Sequence, residues 1–75
     1  MNTINVKELL VENLKSLENQ VSDKDRKACE KASGYDLSTI SRYLKGDVRN
    51  VSTGEVIYVF LKKRINSKIK RIQNA

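Results

Sequence analysis

The chain contains no proline, and its three glycines fall at positions 34, 46 and 54. Proline removes a backbone donor and clashes with the preceding turn, and glycine leaves helical geometry more readily than any other residue. Between these three points nothing in the backbone opposes helix. An all-α fold is therefore expected. A length of 75 residues allows one domain with a small core of three or four helices, and is too short to wrap a deep catalytic cavity.

Caps and hydrophobic spacing place the helices. Asn5 with Glu8 has the spacing of a capping box, and Ile4 with Leu9 that of a hydrophobic staple. Val6, Leu9, Leu10, Leu14 and Leu17 then recur at the helical period, which predicts a first helix over about residues 6–19. Ser22 can cap a second helix over about 23–33, with Asp23 and Asp25 near its positive end and with Ala28, Cys29 and Ala32 as a thin inner side. Gly34 permits a sharp turn, and Asp36 can accept an N–H bond from the next helix. Ile40, Tyr43 and Leu44 share one side of that third helix, over about 37–45, which Gly46 ends.

A loop from Asp47 to Val51 leads into a fourth, long helix over about 53–72, because Ser52 with Glu55 repeats the box and Val51 with Val56 the staple. The run Val56-Ile57-Tyr58-Val59-Phe60-Leu61 has the composition of a strand, but the cap before it and the want of a second strand decide for helix. Ile40, Tyr43, Leu44, Val56, Ile57, Phe60 and Leu61 are the expected core. Further on, Ile65, Ile69 and Ile72 make a narrow seam suited to a partner helix, a symmetry mate or the first helix.

Charge is unevenly placed. The net charge is +6, from 15 basic against 9 acidic residues. From position 56 onward there are six basic residues (Lys62, Lys63, Arg64, Lys68, Lys70, Arg71) and no acid, so the whole excess lies in that terminal segment. Such a block suits a polyanion or simply makes a solvated helix face. Cys29 is the single cysteine and there is no histidine, which excludes an internal disulfide and leaves no metal-ligand spacing. No metal, cofactor or small-molecule ligand is expected. Cys29 reads as a small buried apolar residue, and a reducing, cytoplasmic setting fits it. With Glu8 and Glu12 in the first dozen residues and no apolar run longer than six, neither a secretory leader nor a membrane span is expected.

The third helix carries the chemistry. Its side opposite Ile40, Tyr43 and Leu44 bears Ser38, Thr39, Ser41, Arg42 and Lys45, a basic, hydroxyl-rich face of the kind that reads a major groove. Ser33 to Leu44, and more loosely Arg26 to Ser52, resemble the helix-turn-helix of bacterial and phage regulators, both the lactose-repressor headpiece and the lambda-repressor/Cro group. The most specific piece is Ser-Thr-Ile-Ser-Arg-Tyr-Leu at 38–44, after which Val51-Ser52 opens the next helix at nearly the spacing of the lactose type. The resemblance implies that Leu37, Ser38 and Arg42 read bases and that Thr39 and Ser41 lie near phosphate. A guanidinium fork matches guanine O6 and N7 on its own merits, discriminating by about 1–3 kcal/mol. Lys45, Arg49 and Asn50 suit phosphates, and Tyr35 either donates to one or packs its ring on the core. One position departs from the family. A small residue normally stands four places before the turn glycine, where this chain has Glu30; the second helix is then rotated or the turn lengthened, with Cys29 or Ala28 at the contact.

These features predict a small repressor-like protein that binds double-stranded DNA in a sequence-specific manner as a homodimer, its seam at Ile65, Ile69 and Ile72. Two other classes compete. One is an interaction module, antitoxin-like or a phage adapter, with a basic docking helix and only non-specific affinity for nucleic acid. The other is a segment lying on anionic lipid. An enzyme is not expected, since histidine, a metal set and paired carboxylates are all missing.

Overall fold

Asn50 sets where the longest helix begins. In the computed structural model, which describes residues 5–73, the helices are α1 (Val6–Glu18), α2 (Asp23–Ser33), α3 (Leu37–Leu44) and α4 (Val51–Gln73), with no strand among the described residues. The sequence places the first three to within one residue, but α4 starts two residues earlier than expected. The Asn50 side-chain oxygen accepts the Thr53 N–H at 3.2 Å and its carbonyl accepts the Gly54 N–H at 3.0 Å. Asn50 is thus the cap, and Ser52 falls inside the first turn, where it cannot form the expected box with Glu55.

The other caps are as local as that one. Asn5 accepts the Lys7 N–H at 3.0 Å, with no return bond from Glu8; Ile4, the other half of the expected staple, lies outside the described residues. Ser22 closes a full capping box with Asp25, donating its N–H to Asp25 Oδ2 at 3.0 Å and accepting the Asp25 N–H on its hydroxyl at 3.3 Å. Gly34, Tyr35 and Asp36 join α2 to α3. Gly34 takes φ +83°, the left-handed geometry that favours glycine, and donates to the Glu30 carbonyl at 2.8 Å. At the far end of α3 the N–H of Gly46 reaches the Tyr43 carbonyl and that of Asp47 the Arg42 carbonyl, both at 3.0 Å, which is a Schellman ending.

One core joins all four helices. Leu10, Leu14 and Leu17 from α1, Cys29 from α2, Ile40, Tyr43 and Leu44 from α3, and Ile57, Leu61 and Ile65 from α4 are buried together with Val21 and Val48 from the connections. Each fully buried leucine or isoleucine contributes about 1.5–3 kcal/mol of hydrophobic stabilisation. Both α3 and α4 pack on α1 and α2. At Gly54 an added Cβ would begin 2.7 Å from Leu10 Cδ2, so α1 and α4 meet closely there and a larger residue would have to displace the Leu10 side chain.

Periodicity corrects several expected positions. The inward stripe of α4 runs through Gly54, Ile57, Leu61 and Ile65, and Val56, about 100° around the helix from Ile57, is left 47% exposed. Phe60 is half-buried at the edge of the core. Ile65 therefore belongs to the interior and not to an external seam, while Ile69 and Ile72 remain exposed. Of the expected inner side of α2, Cys29 is fully buried, Ala28 is half-buried and Ala32 faces outward. Val6 and Leu9, at the start of α1, are exposed as well. No helix among the described residues is long and apolar enough to cross a membrane.

Candidate nucleic-acid interface

Two polar contacts and a buried side fix α3. Its first N–H, from Leu37, donates to Glu30 Oε2 at 3.1 Å. Asp36, the residue expected to cap, makes no side-chain bond to the helix. The carboxylate comes from α2 instead, and it sits where the helix dipole favours negative charge. This accounts for an acid at a position where a small residue was expected. Glu30 is only half-buried and is hydrogen-bonded, and Cys29 beside it is fully buried, so neither a longer turn nor a buried orphan charge is required. Burial pushes the Cys29 thiol up, although a hydrogen bond with Ser33 partly opposes this.

The second contact is at the other end of α3. Tyr43 is buried, and its hydroxyl accepts the Asn50 N–H at 3.0 Å, tying α3 to the residue that caps α4. With Ile40, Tyr43 and Leu44 inward, the opposite direction is taken by Ser38, Arg42 and Lys45, spaced four and three apart and all exposed. Thr39, Ser41 and Leu37 are half-buried on the flanks. Neither Arg42 nor Lys45 forms an ion pair among the described residues. Their charges therefore face solvent without an internal partner.

Three of the remaining residues stand differently. Tyr35 is half-buried and packs against the core. Arg49 is exposed in the loop after α3, with Asp47 Oδ1 4.0 Å from its Nε. Asn50 is engaged at both its amide N–H and its side-chain oxygen, so its first role is structural.

Comparison with protein-family models, curated proteins and solved structures finds no match. The likeness of residues 38–44 to a recognition helix rests on those residues themselves.

The basic block of α4 divides in two. Lys62, Lys63, Lys70 and Arg71 are exposed, whereas Arg64 and Lys68 turn toward α2 and grip Asp25. Arg64 Nε donates to Asp25 Oδ1 at 2.9 Å, and Lys68 Nζ to Oδ2. Asp25 is the buried charged residue of the described core, with 0% of its surface exposed. Burial alone would raise its carboxyl, but bonds from Lys68, the Ser22 backbone, Arg64 and the Ser22 hydroxyl together hold it well below the usual carboxylate range. Sequence reasoning placed Asp25 near the helix dipole and missed this cluster. The Ser-x-x-Asp spacing was a signal for the cap, but nothing local marks partners 39 and 43 residues away.

Proposed function

We propose that the chain binds double-stranded DNA through the outward face of α3 and acts as a small repressor-like regulator of phage or bacterial type. The observation that carries this reading is the unpaired, exposed Arg42 at the centre of the row Ser38, Arg42, Lys45, on a short helix whose other side is buried. An exposed side chain with no ion pair or side-chain hydrogen bond among the described residues, on an element held by a cap at one end and a tyrosine at the other, is ready to be used elsewhere. In this reading Arg42 and Ser38 face base edges, with Leu37 beside them, while Lys45, Arg49, Thr39 and Ser41 meet phosphates. The three-residue turn and its left-handed glycine match what such a motif needs.

One recognition helix covers only a few base pairs, so the proposal includes a homodimer on an inverted repeat. With Ile65 inside the core, Ile69 and Ile72 are what remains of the seam to make that contact. The competing reading is an interaction module for a protein partner. It is favoured by the exposed Val56 and Val59, which flank a shallow hollow with Ser52 and Glu55 on α4.

Selection of bound duplexes from a random pool, followed by binding at several salt concentrations, separates the two. An enriched inverted repeat supports the dimeric regulator. Absence of enrichment together with a steep salt dependence sinks base reading by α3.

A further inference from the structure

Along α4, Phe60, Lys63, Arg64, Ser67, Lys68 and Arg71 recur three and four residues apart and line one shallow groove. Four of the six are cations and none is an acid. Asp25 lies beneath, fully buried, and neutralises one charge while fixing both Arg64 and Lys68. Those two side chains are still 38% and 40% exposed, so each keeps donors open to an incoming group. Lys63 and Arg71 have no ion pair among the described residues and stand in the same concavity, with Ser67 between them to offer a hydroxyl.

From this arrangement we infer that the groove is a phosphate site, separate from α3, in which Lys63 and Arg71 ligate the oxyanion and Asp25 preorganises Arg64 and Lys68 around it. Preorganisation matters because ordering a long cationic side chain costs rotamer entropy, and here two of four are ordered before the ligand arrives. A phosphate offers more oxygens than a carboxylate and accepts from several such donors at once, and a guanidinium engages it in a fork. The chemistry is shared by a free phosphate and by a polynucleotide backbone. The site stands or falls without reference to base reading by α3.

The test is an NMR titration of the full chain with inorganic phosphate, against sodium chloride at equal ionic strength, and then with a short duplex of random sequence. Saturable shifts at the amides of residues 60–71 are expected, and they should vanish in the Lys63→Gln/Arg71→Gln double variant, whose exposed positions leave the core untouched. Shifts with both probes identify a site for phosphate in general; shifts with the duplex alone identify a backbone contact. In either case the double variant should flatten the log–log salt slope of duplex binding by about two, one for each lost contact. Equal shifts in chloride, no shift with either probe, or shifts that survive the double variant overturn the inference. Arg42→Ala protein should titrate with phosphate like the parent, so failure of this site and failure of α3 as a reader are told apart.

Discussion

Replacing Asp25 by alanine removes four bonds at once: those from the Ser22 N–H and the Ser22 hydroxyl at the α2 cap, and those from Arg64 and Lys68. The cap contributes about 1 kcal/mol. Breaking a fully buried ion pair costs about 3–5 kcal/mol, most of it from the charge left stranded. Here the stranded groups are cations at 38% and 40% exposure, which water reclaims, so the ionic part is discounted to about 1–2 kcal/mol. The sum is about 2–3 kcal/mol, which for a domain of this size lowers the thermal midpoint by about 10–20 °C. Circular dichroism melts at pH 7 measure it. Asparagine at the same position can still accept the Ser22 N–H, so Asp25→Asn should show the ionic loss alone. Acid supplies a second reading. The folded carboxyl sits below its unfolded value of about 3.9, so its contribution is complete above about pH 4 and is lost as the pH falls toward the folded value. That limb should be flatter in both variants. A midpoint drop under about 3 °C for Asp25→Ala, or an acid limb unchanged in Asp25→Asn, refutes the assignment of Asp25 as the clamp between α2 and α4.

Arg42→Ala should cost about 1–3 kcal/mol on a selected duplex and relax preference at one base pair, whereas Lys45→Ala should weaken all sequences alike; equal losses for Arg42→Ala on selected and random DNA remove it as a base reader. Tyr43→Phe deletes the acceptor for the Asn50 N–H and should cost about 0.5–1.5 kcal/mol in urea unfolding, with faster exchange of that amide as the local sign. Ile65→Ala should destabilise by about 2–5 kcal/mol because the residue is in the core, while Ile69→Asp, outside the core, should convert dimer to monomer in light scattering and lower the melt only by the concentration-dependent part that dimerisation supplies; an unchanged mass for Ile69→Asp excludes that end of α4 as the interface.

What the sequence discloses of this fold is what is decided within a few residues. Asn5, Ser22, Gly34 and Gly46 mark helix ends because caps and left-handed turns act over one turn of backbone. The Ile40, Tyr43, Leu44 side of α3 and its Ser38, Arg42, Lys45 counterpart follow from the 3.6-residue period alone. The start of α4 is harder to read, since Asn50 and Ser52 both make acceptable caps and Asn50, the one used, is also bonded to Tyr43, seven residues back. Glu30 looked like a misfit because its partner, the Leu37 N–H, belongs to another helix. Ile65 was readable in principle: Ile57, Leu61 and Ile65 repeat every four residues, and counting from the core outward would have put it inside. The Asp25 cluster was not, as its members meet only when α2 and α4 pack.

The bond from Glu30 to the start of α3 changes what counts as the transferable unit. A helix capped by its own preceding residue can be cut out and grafted with that residue attached, but α3 takes its cap from α2 and its far tether from Asn50. A transplant of residues 37–44 onto a foreign scaffold leaves both fastenings behind, and the graft's direction is then dictated by the host. The smallest portable block runs from residue 30 to residue 50.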